Sequence, residues 1–104
     1  MHDVYSAIAD PSRRRLVELL ASDEHPVHAL AAKFDVSFQA VSQHLHILHE
    51  AGLVARRAEG RERIYTASLG PLRQVHDWTT RYRRFWDSRL DRLGRYLDAQ
   101  AKRR

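Results

Sequence analysis

Residues 27–50, VHALAAKFDVSFQAVSQHLHILHE, set two apolar-periodic stretches on either side of the short segment Asp35-Val36-Ser37. Val27, Leu30, Ala31 and Phe34 recur at three- and four-residue steps, which predicts a short helix over about residues 27–34 with one buried face. Ser37 is a good N-cap and Gly52 a good stop, so a second helix is expected over about residues 37–50. On a helical projection Val41, Leu45 and Leu48 fall on one narrow face, and Gln39, Ser42, Gln43, His46 and Glu50 lie opposite. Two short helices across a tight turn, the second polar outside and almost uncharged, form a helix-turn-helix.

That outward face carries the groups that pair with base edges. Gln suits adenine, Ser suits most bases, and His suits guanine or a phosphate. An ordinary solvated face would carry Lys and Glu instead. The face therefore points to the major groove of double-stranded DNA, with Phe38, Gln39, Ser42, Gln43 and His46 as candidate contacts. If His46 touches phosphate, DNA affinity falls as rising pH removes the imidazole proton.

The charge distribution sharpens the expectation. The chain has 104 residues and a net charge of +5, yet residues 1–50 hold four cations against seven carboxylates. Residues 51–70 hold four against two, and residues 71–104 hold ten against four. The reading helix is not basic, so its phosphate grip must come from elsewhere. Residues 53–57 and 63–67 read as two strands around a Glu59-Gly60 turn, a hairpin directly after the reading helix. Arg56, Arg57, Arg61 and Arg63 on that hairpin are candidate backbone or minor-groove contacts. Arginines on a two-stranded ribbon also deter edge pairing, and the adjoining helix-turn-helix favours the DNA role.

Upstream, residues 2–9 are expected to form a first helix with Val4, Tyr5, Ile8 and Ala9 on one side. Asp10-Pro11 is an N-cap followed by a good first helical residue, starting a second helix over about 11–22. Arg13, Arg14 and Arg15 crowd its start, where cations oppose the helix dipole. A phosphate contact and a mere arginine bias (Lys33 and Lys102 are the only lysines) account for them equally well.

Pro71 begins a final helix expected to run some 30 residues, or ~45 Å. Leu72, Val75, Thr79, Tyr82, Trp86, Leu90, Leu93 and Leu97 form its stripe, widened by Trp78, Phe85 and Tyr96. One small domain cannot cover that surface, and each large aromatic buried is worth roughly 1.5–3 kcal/mol. Pairing with a second copy through Val4, Tyr5, Ile8, Trp78, Tyr82, Phe85 and Trp86 is the economical solution. An aromatic wall around an effector is the lesser alternative.

The elements together resemble the ArsR/SmtB-type winged-helix repressors of bacteria and archaea. The resemblance rests on Ala9-Asp10-Pro11-Ser12-Arg13-Arg14-Arg15-Leu16, on Ala40-Val41-Ser42-Gln43-His44-Leu45 with Leu48 and Ala51-Gly52-Leu53-Val54, and on Gly60-Arg61 with Ile64-Tyr65. It covers essentially the whole chain. It implies a mainly α fold with a two-stranded β wing and five helices, one domain over residues 1–104. Within it the helix-turn-helix spans 27–50, the wing 53–67 and the dimerisation helix 71–101. It also implies a homodimer, paired through first and last helices, that represses transcription at a two-fold symmetric operator, often that of its own operon. The implied base-contacting positions are Phe38, Gln39, Ser42 and Gln43; Phe38, Gln39 and His46 depart from the usual residues there, so sequence preference does not carry over.

The chain further resembles the metal-independent branch. The thiolate pair of arsenic- and cadmium-responsive members would fall at Pro26 and His28. The zinc-type positions near Gln74, His76, Asp87 and Leu90 offer two plausible ligands where zinc wants three or four. No metal and no cofactor is expected, and the seven histidines are read mainly as surface or DNA-facing groups. With no cysteine, no evident signal peptide and no apolar run approaching ~20 residues, a reducing cytoplasm is the expected setting. A protein-interaction module on the same scaffold and a histidine-based metal sensor are the alternatives. A hydrolase is disfavoured because no nucleophile, base and acid converge.

Overall fold

The computed structural model describes residues 2–102. Six helices and three strands follow one another: α1 (Val4–Ile8), α2 (Pro11–Ser22), β1 (His25–Pro26), α3 (Val27–Ala31), α4 (Phe38–Glu50), β2 (Val54–Glu59), β3 (Glu62–Ala67), α5 (Leu72–Thr80) and α6 (Arg83–Lys102). It is the expected winged helix-turn-helix with its two-stranded wing, β2 and β3; the described residues form six helices rather than five, and a further strand, β1, joins the wing in a three-stranded sheet.

Local chemistry sets most boundaries. Asp10 accepts from the Arg13 amide at 3.1 Å and Ser37 from the Ala40 amide at 3.1 Å, each occupying one of the orphan donors of a helix start. Asp3 does the same for α1 at Ser6, which starts that helix at Val4 rather than residue 2; it ends at Ile8, with Ala9 as its C-cap. At the end of α4 the Leu53 amide bonds the Leu48 carbonyl (2.9 Å) and the Gly52 amide bonds that of His49 (3.0 Å). This is a Schellman closure, and it needs the left-handed φ of +78° at Gly52.

The arginine cluster has a structural role. Arg13 Nε donates to the Ala7 carbonyl (2.7 Å) and its Nη2 to that of Ser6 (3.1 Å), while Arg14 Nη1 reaches the Ile8 carbonyl (2.8 Å). These are carbonyls of the last turn of α1, where cations are welcome, so the unfavourable start of α2 is offset at the neighbouring terminus. Arg13 Nη1 also lies 3.4 Å from His44 Nδ1, tying α1 and α2 to α4.

The core gathers Val4, Leu16, Val17, Leu20, Leu30, Val41, Leu45, Leu48, Leu53, Val54 and Tyr65 from six elements and the loop before β2. Leu30, Leu45, Leu48 and Leu53 are wholly enclosed, each worth roughly 1.5–3 kcal/mol relative to exposure. This packing fixes α4 with its polar face outward.

The sheet has the order β1-β3-β2. Glu59 pairs with Glu62, so the hairpin loop is Gly60-Arg61 rather than Glu59-Gly60. Gly60 has φ +62° and Arg61 has no positive φ, as a type II′ turn demands. The additional strand, β1, places His25 beside Tyr65 and Pro26 beside Ile64. It joins the segment between α2 and α3 to the wing.

The final helix is broken. Its expected single span over 71–101 is divided at Arg81-Tyr82 into α5 and α6. Thr79 Oγ1 and Thr80 Oγ1 both donate to the His76 carbonyl, at 2.9 and 2.7 Å, competing for the acceptor that helical hydrogen bonding would use there. The turn tightens, with the Arg81 and Tyr82 amides bonding three residues back. No residue of α5 or α6 is buried.

Candidate nucleic-acid interface

The buried edge of α4 orients its opposite edge. Val41, Leu45 and Leu48 point into the core, leaving Gln39, Gln43 and His46 exposed and Ser42 half-covered. Phe38 stands at the first position of α4, 55% exposed, so it does not pack inward. His46 Nε2 lies 2.9 Å from Glu50 Oε1 one turn on. The pair sets a carboxylate beside the one histidine of this face.

Across from this face stands the wing. Phe38, Ser42 and His46 share a groove of about 450 Å³ with Arg56, Arg61, Arg63 and Tyr65. Arg56 is paired in register with Tyr65, and Arg63 with Ala58, so both arginines belong to the strand face that includes Tyr65. Arg61 is at the hairpin tip. Among the described residues none of these three arginines pairs with a carboxylate, and all are exposed. Polar, uncharged groups on one wall and unpaired cations on the other suit base edges and phosphates respectively. His28, 3.4 Å from Glu62, closes the groove from the α3 side.

Arg57 departs from the expectation for the wing. Its fork is bidentate on Glu24, Nη1 to Oε2 at 2.7 Å and Nη2 to Oε1 at 2.8 Å, and Nη2 also meets Glu59 Oε2 at 2.9 Å. Hydrogen bonding to Arg57 holds the Glu24 carboxyl below the usual range, and Glu24 first and Glu59 second push the guanidinium further up. Two carboxylates already occupy this cation. Period-two alternation along β2 separates it from Arg56, a distinction that the run of wing arginines does not reveal.

The residues expected at the dimer contact divide. Val4 is 3% exposed within the protomer's own core, which corrects its assignment to a contact between copies. Ile8 is partly covered by the same core. Tyr5, by contrast, stands edge-on to Trp78 at 6.2 Å, and Trp78 edge-on to Tyr82 at 5.6 Å. Phe85 and Trp86 continue the strip, their rings 5.3 Å apart. Trp78, Tyr82, Phe85 and Trp86 are each about half exposed.

The positions of the family's metal sites do not fit a metal here. Pro26 has no donor side chain; His76 is 3.3 Å from Asp77, and Asp87 is 3.6 Å from Arg83 on the other side of the break. Among the described residues no three His, Cys, Asp or Glu side chains converge. No described helix is long and apolar enough to cross a membrane.

Comparison with known proteins agrees with this geometry. Residues 10–56 match the family described as bacterial regulatory protein, arsR family. An HTH-type transcriptional regulator of Mycobacterium tuberculosis is 37% identical over 99 residues, which cover 92% of this chain and 87% of that protein. The transcriptional repressor SdpR of Bacillus subtilis is 30% identical over 78 residues, covering 75% of this chain and 87% of its own. A crystal structure of a possible transcriptional regulator for arsenical resistance is 45% identical and aligns with a TM-score of 0.72, over 89% of this chain and 94% of that one. The chain belongs to the arsR family of bacterial regulatory proteins and is a DNA-binding transcriptional regulator.

Proposed function

We propose that the protein is a homodimeric repressor that binds a two-fold symmetric operator. The observation that carries this reading is the groove between the polar face of α4 and a wing whose Arg56, Arg61 and Arg63 meet no carboxylate among the described residues. Gln39, Ser42 and Gln43 read base edges in the major groove, with Phe38 available to a thymine methyl. His46 approaches phosphate from the same helix, and Arg56, Arg61 and Arg63 hold the backbone or enter the adjacent minor groove. The aromatic strip through Tyr5, Trp78, Tyr82, Phe85 and Trp86 supports pairing of two copies, with Ile8 at its margin.

The arsenical-resistance role named for the 45% identical protein does not bring a ready sensor with it. The 104 residues here contain no cysteine, and soft metals and metalloids favour thiolates. Selection of bound duplexes from a random pool at low salt tests the reading. An enriched inverted repeat, with affinity falling steeply as salt rises, is the expected result. A pool that shows no enrichment overturns sequence-specific repression.

A further inference from the structure

Glu24 follows α2 and immediately precedes β1, while Arg57 lies on β2 at the far edge of the sheet. The strand between them, β3, aligns Pro26, Ile64 and Arg57 in one cross-strand row. Directly paired residues project from the same face, so Arg57 shares the face of Ile64, opposite the face of Arg56 and Tyr65. Ile64 is 8% exposed yet lies outside the main core cluster. Arg57's reach to Glu24 crosses the sheet from its β2 edge to the segment that leads into β1. The fork is bidentate, the geometry that most restricts where the two groups sit.

From this we infer that Glu24 and Arg57 are positioning residues for DNA binding: their ion pair braces the wing against the helical body and sets the aim of Arg56, Arg61 and Arg63. Arg57 itself makes no phosphate contact. Val54 and Tyr65 root the base of the hairpin in the core, and beyond them the rest of the wing is held by its own ladder, by the two-residue strand β1 and by this pair. A two-stranded hairpin by itself is marginal in water. The inference rests on the wing being part of the DNA-binding surface.

The sign of one substitution separates the brace from simple electrostatics. Glu24→Gln removes a negative charge near a polyanion. Without a positioning role it leaves affinity equal or tighter, and it also frees Arg57. With the brace it weakens binding, by roughly three- to tenfold, the equivalent of about 1 kcal/mol. The experiment uses fluorescence anisotropy of the full chain with a labelled mixed-sequence duplex of about three helical turns, across a salt series. Arg57→Gln is expected to weaken binding with an unchanged salt slope. Loss of a phosphate contact instead lowers the slope by about 0.9. The reciprocal exchange, Glu24→Arg with Arg57→Glu, made in a Glu59→Gln background so that the new carboxylate does not face Glu59, keeps the net charge of that background and is expected to recover affinity relative to either single change within it.

Arg61→Ala is the control for the underlying reading. If it reduces affinity and slope while Glu24→Gln tightens binding or leaves it unchanged, the brace is overturned and the wing's role stands. A slope reduced by Arg57→Gln, or no recovery in the exchange, also overturns the brace. If Arg61→Ala and Glu24→Gln are both without effect, the wing's part in DNA binding fails, and the brace with it.

Discussion

The phenolic oxygen of Tyr5 donates a 3.2 Å hydrogen bond to the main-chain carbonyl of Gln74, joining α1 to α5 across 69 residues of sequence. It holds the edge of Tyr5 against Trp78 and makes one surface from the first and fifth helices. Trp86, 56% exposed, extends that surface beyond the break. On the proposed pairing the parent chain is expected to sediment as a dimer at micromolar concentration, and Trp86→Ala to yield monomers. A variant that remains dimeric places the contact elsewhere.

Reading and holding are assigned to different elements. Ser42→Ala and Gln43→Ala should lower the preference for the selected operator over mixed-sequence DNA, by about 1–3 kcal/mol for a lost bidentate base contact. Arg61→Ala should weaken both duplexes alike and reduce the salt slope by about one. Parental operator selectivity in Gln43→Ala would mean that another face of α4 meets the bases.

Asp10 caps α2, and the Arg13 amide holds its carboxyl below the usual 3.8. A depressed folded-state pKa means the charged cap contributes fully above about pH 4 and is lost as pH falls through the lower folded value. Asp10→Ala should cost about 1 kcal/mol in urea unfolding at pH 7. The difference from the parent should shrink in acid. An equal difference at pH 7 and in strong acid would assign the loss to something other than the ionised cap.

The break between α5 and α6 depends on two hydroxyls sharing the His76 carbonyl. Replacing Thr79 and Thr80 by Ala removes both competitors and raises helix propensity by several tenths of a kcal/mol per site. Stronger circular dichroism at the helix minimum is expected, together with a longer distance between spin labels at the two ends of the segment. An unchanged distance would show that the hydroxyls do not hold the bend.

Periodicity made the helix-turn-helix legible because Val41, Leu45 and Leu48 obey one helical spacing and the core uses all three. Asp10, Ser37 and Gly52 marked boundaries for the same local reason. What stayed hidden was non-local. A two-residue strand containing Pro26 carries no alternation, so β1 is defined only by its partner. Arg57 looks like its neighbours until strand register assigns it to the opposite face and Glu24 meets it from 33 residues away. Val4 fits the same apolar helix face as Tyr5 and Ile8, and only packing shows that the protomer itself buries it. The adjacent Thr79-Thr80 pair was a signal for the broken helix, outweighed by the longer apolar repeat.

The bare stripe on α6 has a consequence for how such a regulator responds to its own abundance. On the proposed pairing, scarce protomers leave Leu90, Leu93 and Leu97 in water, while abundant ones bury them. Folded-state stability then rises with copy number by mass action. Occupancy of a two-half-site operator would rise more steeply than in proportion to the amount of protein made. A gene controlled in this way would switch across a threshold of synthesis rather than dim gradually.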